Sequence, residues 1–113
     1  LLGPGAEAVT TRRTERCDVG LVHYADGRQG VINLLQKSPS LYHGVVYGER
    51  DWAEINICNW DHFYVETLAR VITLGETRTA PYPIAWAVEV MAILTALLRS
   101  AEQGGATIRL NEL

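Results

Sequence analysis

Between Ile57 and Asp61 the hydrophobic pattern changes period, dividing the chain into a strand-rich part and a helical part. Before the change lie five segments: Ala6 to Arg13, Cys17 to Tyr24, Gln29 to Gln36, Tyr42 to Tyr47 and Asp51 to Ile57. All are rich in Val, Ile, Thr and Tyr and are parted by turn residues, so each is expected to be a strand. Asp26-Gly27 offers the positive-φ position of a tight hairpin, which pairs strands two and three antiparallel, and Gly48-Glu49-Arg50-Asp51 closes the next hairpin. After the change, Tyr64, Val65, Leu68, Val71 and Ile72 share one side at 100° per residue, with His62, Glu66, Arg70 and Thr73 on the other. That is an amphipathic helix over Asp61 to Leu74. Asn59 or Asp61 can cap its first amides and Gly75 is expected to stop it, while Glu66 and Arg70, four apart, make a weak pair worth about 0.3 to 0.5 kcal/mol.

A second helix is expected to start at Pro83, whose missing amide hydrogen costs nothing in the first turn. Ala87, Val90, Met91, Ile93, Leu94, Leu97, Leu98 and Ala101 form its apolar half, expected to lie on the sheet, with Glu89, Arg99, Glu102 and Gln103 facing solvent. Gly104 ends it in a left-handed conformation, and Ala106 to Leu110 returns as a sixth strand. The expected fold is therefore α+β: a two-layer, largely antiparallel open β-sheet with two helices packed on one face, as one domain over residues 1–113. The strands add a further demand. Val19, Leu21 and His23 oppose Asp18, Gly20, Val22 and Tyr24; Ile32 and Leu34 oppose Val31 and Leu35; Val45 and Tyr47 oppose Tyr42 and Val46. Both faces are partly apolar, two helices cover only one, and the other is expected to meet a second copy in a homodimer.

With 20% charged residues and a net charge of -3, the chain offers no basic stripe for nucleic acid. Cys17 and Cys58 have no partners at metal-ligand spacing and are expected to be buried, reduced thiols. The most apolar stretch, Ile84 to Leu98, is broken by Glu89 and Thr95 and is short for a membrane span, so a soluble, cytoplasmic protein is expected. The chain opens without methionine and in mid-pattern, as a piece of something longer would.

Residues able to do chemistry are few. Gly3-Pro4-Gly5-Ala6-Glu7-Ala8 matches the GxGxxA spacing of a dinucleotide turn, but such a turn needs a strand before it and a helix after it; β-favouring Val9-Thr10-Thr11 follows instead. Asp61 and His62 point about 100° apart on their helix, which argues for a solvated histidine rather than an acid/base pair. His23 and His43 lie in strands without an evident partner, and a small enzyme built on either is the least supported reading. Ser38-Pro39-Ser40 lacks the GxSxG context of a nucleophilic serine, and Trp52, Trp60 and Trp86 read as packing residues. No catalytic, cofactor-binding or metal-binding residue is assigned.

Four segments in order nevertheless resemble the C-terminal part of the Gfo/Idh/MocA family of NAD(P)-dependent oxidoreductases, relatives of glucose-fructose oxidoreductase and inositol dehydrogenase. They are "LLGP" at 1 to 4 followed by "AEAV"; "YADGRQGVI" at 24 to 32; "VYGERDWAEI" at 46 to 55, where Asp51 stands in place of the family's usual glycine; and "TLGETRTAPYPIAWAVEVMAILTALLRSAEQGGATIRL" at 73 to 110. The resemblance implies an open sheet with helices on one face, forming one wall of an active site and associating with other subunits through its bare face. It implies NAD(P) for the full-length protein and hydride transfer on a sugar or polyol-like substrate. The family's Rossmann domain, its E-K-P lysine and the Asp and His of its D-x-x-x-H helix have no counterparts here, so this chain alone is expected to bind no cofactor and catalyse nothing. The alternative is a stand-alone α+β homodimeric binding or assembly module.

Overall fold

The computed structural model describes residues 2–37 and 42–113 of the chain. The fold is α+β, with six strands in antiparallel sheets and two long helices among the described residues: β1 (Ala6–Arg13), β2 (Cys17–Tyr24), β3 (Gln29–Leu35), β4 (Tyr42–Tyr47), β5 (Trp52–Ile57), α1 (Trp60–Thr77), α2 (Ile84–Glu102) and β6 (Ile108–Arg109). A 3-10 turn, Leu110–Glu112, follows β6. The strands do not form one sheet. They divide into a four-stranded sheet of order β3-β2-β1-β6 and a separate β4-β5 hairpin. The chain correspondingly separates into two compact units, Leu2–Ser38 with Ile84–Leu113, and Pro39–Pro83.

The first unit carries the core. Strand alternation sends Val9 and Thr11 of β1, Val22 of β2 and Ile108 of β6 to one face, where Ala96, Leu97, Ser100 and Ala101 of α2 meet them. The Asp26-Gly27 turn forms as its residues require: Gly27 takes φ 87, and Tyr24 N–H donates to the Arg28 carbonyl at 3.2 Å. Register follows from the turn, placing Gly20 opposite Ile32 and Val22 opposite Gly30.

α2 lies on the sheet by one edge of its expected apolar half, where Ile93, Leu97 and Ala101 are joined by Glu89, Ala96 and Ser100. The residues turned inward are Glu89, Ile93, Ala96, Leu97, Ser100 and Ala101, whereas Val90, Met91, Leu94 and Leu98 are exposed. Two causes are visible. Small residues at 96, 100 and 101 let the helix approach the strands closely, and two polar side chains on this stripe find backbone partners. One Glu89 carboxylate oxygen accepts from the N–H groups of Gly5 and Ala6 at 2.8 and 2.9 Å. The buried Ser100 hydroxyl accepts from Thr11 N–H at 2.8 Å and donates to the Ala106 carbonyl at 2.6 Å. Ser100 thereby stands between two backbone groups that would otherwise pair directly, which is why β6 covers only Ile108–Arg109 rather than the expected Ala106 to Leu110. Gly104, with φ 68, reverses the chain after the helix as expected. α2 has 19 residues and a mean hydropathy of 1.6 over its most apolar window, so its length does reach that of a membrane span. Its bonds to the sheet through Glu89 and Ser100 account for it as a sheet-covering helix.

The second unit is a hairpin followed by a helix. Gly48 N–H donates to the Asp51 carbonyl at 2.8 Å, closing the β4-β5 turn at the expected place. Asn59 caps α1 by accepting from His62 N–H at 3.0 Å. Gly75 does not end the helix, which runs to Thr77 and stops at Arg78, a left-handed residue with φ 54 whose N–H donates to the Leu74 carbonyl. Threonine hydroxyls at 67, 73 and 77 bond back to carbonyls four residues earlier, so the last turns satisfy themselves without glycine's freedom. α1 has no buried residue.

Candidate functional site

Each candidate of the sequence reading has a definite place. Gly3 and Gly5 have φ 77 and 106, as a tight backbone path needs, but β1 begins at Ala6 and no helix follows. The Gly5 and Ala6 amides that would face a pyrophosphate are already donated to the Glu89 carboxylate, whose charge would repel phosphate. These residues do not fit a dinucleotide. The same stretch is held from its other side by Arg28, whose guanidinium donates to the Leu2 carbonyl and, at 3.0 Å, to the Pro4 carbonyl. Arg28 also pairs with Asp26 at 2.7 Å and lies 4.7 Å above the Tyr24 ring. The Arg28 backbone N–H, then its guanidinium, hold the Asp26 carboxyl below its ordinary range, while burial pushes the Tyr24 hydroxyl up.

His23 sits on the sheet face away from α2, its Nε2 3.4 Å from Thr10 Oγ1, which is 3.3 Å from Thr107 Oγ1. This polar row carries no carboxylate. His43 does have a partner, contrary to expectation: its Nε2 lies 2.9 Å from Glu54 Oε1. The pairs Val45↔Glu54 and His43↔Asn56 put residues 43 and 54 diagonally on one hairpin face, so counting back from the Gly48–Asp51 turn would have found them. Both groups are exposed, and neither histidine lines the groove between Thr10–Arg13 of β1 and Ala101, Gly104 and Gly105 at and just beyond the end of α2. Arg13 in that groove is engaged by Asp18 in a fork of three bonds at 2.9 to 3.2 Å, which lowers the Asp18 carboxyl and raises the guanidinium.

His62 is solvent-facing, as expected. Cys17 is half-buried and Cys58 exposed, which corrects the expectation of two buried thiols: Cys17 opens β2 on the sheet face away from α2, and Cys58 lies in the connection from β5 to α1. Among the described residues no group of three His, Cys, Asp or Glu is placed to hold a metal, and the ion pairs do not include Glu66 with Arg70. Ser38-Pro39-Ser40 lies outside the described residues.

What the structure displays most plainly is apolar surface. On the face of the four-stranded sheet away from α2, Val19, Val31 and Leu35 are exposed, Val31 by 64%. In the second unit, Tyr64, Val65, Leu68, Val71 and Ile72 of α1 are each 58 to 62% exposed, a continuous arc along about two and a half turns. At its N-terminal end Trp60 meets Tyr42 edge to face, ring centroids 5.2 Å apart, and Phe63 at 6.0 Å. An arc of this kind performs no bond chemistry. No family model matches this chain, and no curated protein and no solved structure matches it either.

Proposed function

We propose that this chain is the substrate-side and oligomerisation portion of a Gfo/Idh/MocA-type, NAD(P)-dependent oxidoreductase, a cytoplasmic enzyme transferring a hydride to or from a sugar or polyol-like substrate. In this reading the cofactor and the catalytic Lys, Asp and His belong to a Rossmann half of the full-length protein. The chain by itself supplies a wall and a subunit contact through the bare sheet face.

The observation that carries the reading is the succession of segments the resemblance rests on. The turn in "YADGRQGVI" joins β2 to β3, "VYGERDWAEI" spans the β4-β5 hairpin, and the C-terminal piece is α2 closed by Gly104 and followed by β6. The turn, the hairpin and the closing helix and strand support the reading, whereas Thr73–Thr77 at the start of the last segment belong to α1. The apolar residues on the sheet face away from α2 add support, since the resemblance gives that face to subunit association.

The test has two parts. The reading frame upstream of Leu1 should encode a GxGxxG unit and an E-K-P segment, and its full product should reduce NAD(P) with a member of a polyol and sugar panel. The isolated chain should bind NADH or NADPH no tighter than millimolar. A start codon immediately upstream, or micromolar binding by the chain alone, contradicts the proposal; the first result favours the stand-alone homodimeric module.

A further inference from the structure

The β4-β5 hairpin divides its residues by parity into two unlike faces. Tyr42, Gly44, Val46, Ala53, Ile55 and Ile57 share one, and Trp60 at the start of α1 meets Tyr42 there, ring centroids 5.2 Å apart. That face carries no charge. The opposite face is mixed: Tyr47 stands opposite Trp52, Val45 opposite Glu54 and His43 opposite Asn56. Gly48 N–H donates to the Asp51 carbonyl at 2.8 Å, so the next pair along, Tyr47 with Trp52, is one whose backbones do not bond to each other. Side chains stand closest at such pairs, with Cβ atoms about 4.5 to 5.5 Å apart. Two aromatic side chains are thereby set side by side at the turn end of the hairpin. One row further, about 6 to 7 Å along the strand, is Glu54. His43 Nε2 lies 2.9 Å from its Oε1, which fixes the carboxylate and leaves Oε2 for another partner.

The charge around these rings is negative. Residues 42–57 hold Glu49, Asp51 and Glu54 against Arg50 alone, and Asp51 Oδ1 accepts from Trp52 N–H at 2.7 Å, which keeps a second carboxylate next to the tryptophan. A dry protein contact on this face would strip water from Glu54, His43 and Asn56 together, a cost that apolar packing does not offset. The same face suits a small ligand that is both positive and apolar. Aromatic ring faces attract cations, tryptophan most strongly, and a nearby carboxylate supplies the opposite charge. A hydrated metal ion has no apolar surface to lay on the rings, and a primary ammonium is held by its water. A quaternary ammonium meets both demands.

We infer that Tyr47, Trp52 and Glu54 form a binding site for an organic cation of the quaternary ammonium class. The cationic headgroup sits over the two rings with Glu54 as its counter-charge, and His43 is a positioning residue that holds this carboxylate. The site belongs to the hairpin alone. It goes beyond the functional proposal and needs neither NAD(P) nor the bare sheet face.

The experiment titrates choline chloride and tetramethylammonium chloride into the isotope-labelled whole chain at constant ionic strength. Nuclear magnetic resonance follows the Trp52 indole N–H and the amides of residues 43–56. A parallel titration uses the neutral alcohol in which carbon replaces the nitrogen of choline. Saturable shifts are expected for both cations, and the alcohol should bind about fivefold more weakly or less tightly still. Trp52→Ala and Tyr47→Ala should each weaken choline binding about two- to fivefold, and Glu54→Gln by a similar factor. Trp86→Phe, outside the hairpin, should leave it unchanged. Glu54→Gln preserves size and the comparison of choline with the alcohol needs no variant, so a hairpin disturbed by Trp52→Ala does not hide the answer. Equal binding of the alcohol and choline overturns the site. So does the lack of a saturable shift by one hundred millimolar choline, or an affinity indifferent to both Trp52→Ala and Glu54→Gln.

Discussion

Replacing Gly20 by alanine tests the close approach of α2 to the sheet. A methyl group built on Gly20 would lie 1.9 Å from Leu97 Cδ2 and 3.3 Å from its Cγ, where comfortable carbon contacts are about 3.5 to 4.0 Å. Leu97 is 2% exposed, so it has no open space to turn into. Overpacking of this kind costs about 1 to 3 kcal/mol, offset by about 0.5 to 1 kcal/mol from the backbone entropy that alanine removes in the unfolded chain. Gly20→Ala should therefore destabilise by a net 1 to 2 kcal/mol or so. Leu97→Ala, which leaves a cavity, should cost about 2 to 5 kcal/mol. In the double variant the added methyl enters the space Leu97 vacates, and the total should fall short of the sum by about 1 kcal/mol or more. The assay is urea unfolding followed by far-ultraviolet circular dichroism at one fixed protein concentration, so that association contributes equally to all four proteins. Additivity within about 0.5 kcal/mol, or a stabilising Gly20→Ala, would refute the argument that this glycine exists to admit Leu97.

Ser100→Ala should cost about 1 to 3 kcal/mol, because it strands the Thr11 amide and the Ala106 carbonyl together; denaturant melts check this, and a neutral result would mean that water replaces the hydroxyl. Glu89→Ala should cost a similar 1 to 3 kcal/mol and, more diagnostically, speed hydrogen exchange at Gly5 and Ala6 while leaving β2 unchanged. Asp18 is held below its ordinary value by Arg13, so its contribution to stability is present above the unfolded-state value of about 3.9 and disappears as pH falls through the lower folded value. The loss on acidification should be smaller in Asp18→Asn, measured by thermal melts between pH 6 and 2. Arg78→Gly relieves a left-handed residue at the end of α1 and should raise helicity of the chain, by about 1 kcal/mol for that turn; unchanged circular dichroism would count against the assigned cap.

Local signals were legible wherever one residue dictates one backbone state. Gly27 marks the first hairpin, Asn59 opens α1 and Gly104 closes α2, each at its expected place. Strand alternation in β2 and β3 was legible for the same reason, since side-chain direction follows parity. What the pattern could not reveal was which of two apolar stripes α2 would bury. Hydrophobicity favours the stripe with Met91, Leu94 and Leu98, but closeness favours the one with Ala96 and Ser100, and the hydrogen bonds of Glu89 and Ser100 decide between them. A carboxylate with two backbone donors has no one-dimensional signature. The spacing of Glu89, Ile93, Ala96 and Ser100, alternately four and three apart, was the available hint. The division of the strands into two sheets also left no mark, because adjacent hairpins read alike whether or not their edges join. Of the functional reading, the apolar sheet face away from α2 is legible in strand parity, since Val19, Val31 and Leu35 alternate with residues on the helix-covered side.

The central claim is that the Leu2–Ser38 and Ile84–Leu113 unit holds its own core, closed by α2 over β1, β2 and β6. Amide hydrogen exchange read segment by segment in wild type and Leu97→Ala tests it most directly. The account predicts strong protection in β1, β2 and the C-terminal half of α2, falling together in Leu97→Ala. Weak protection of these segments in wild type, or a loss in Leu97→Ala confined to α2, would contradict it.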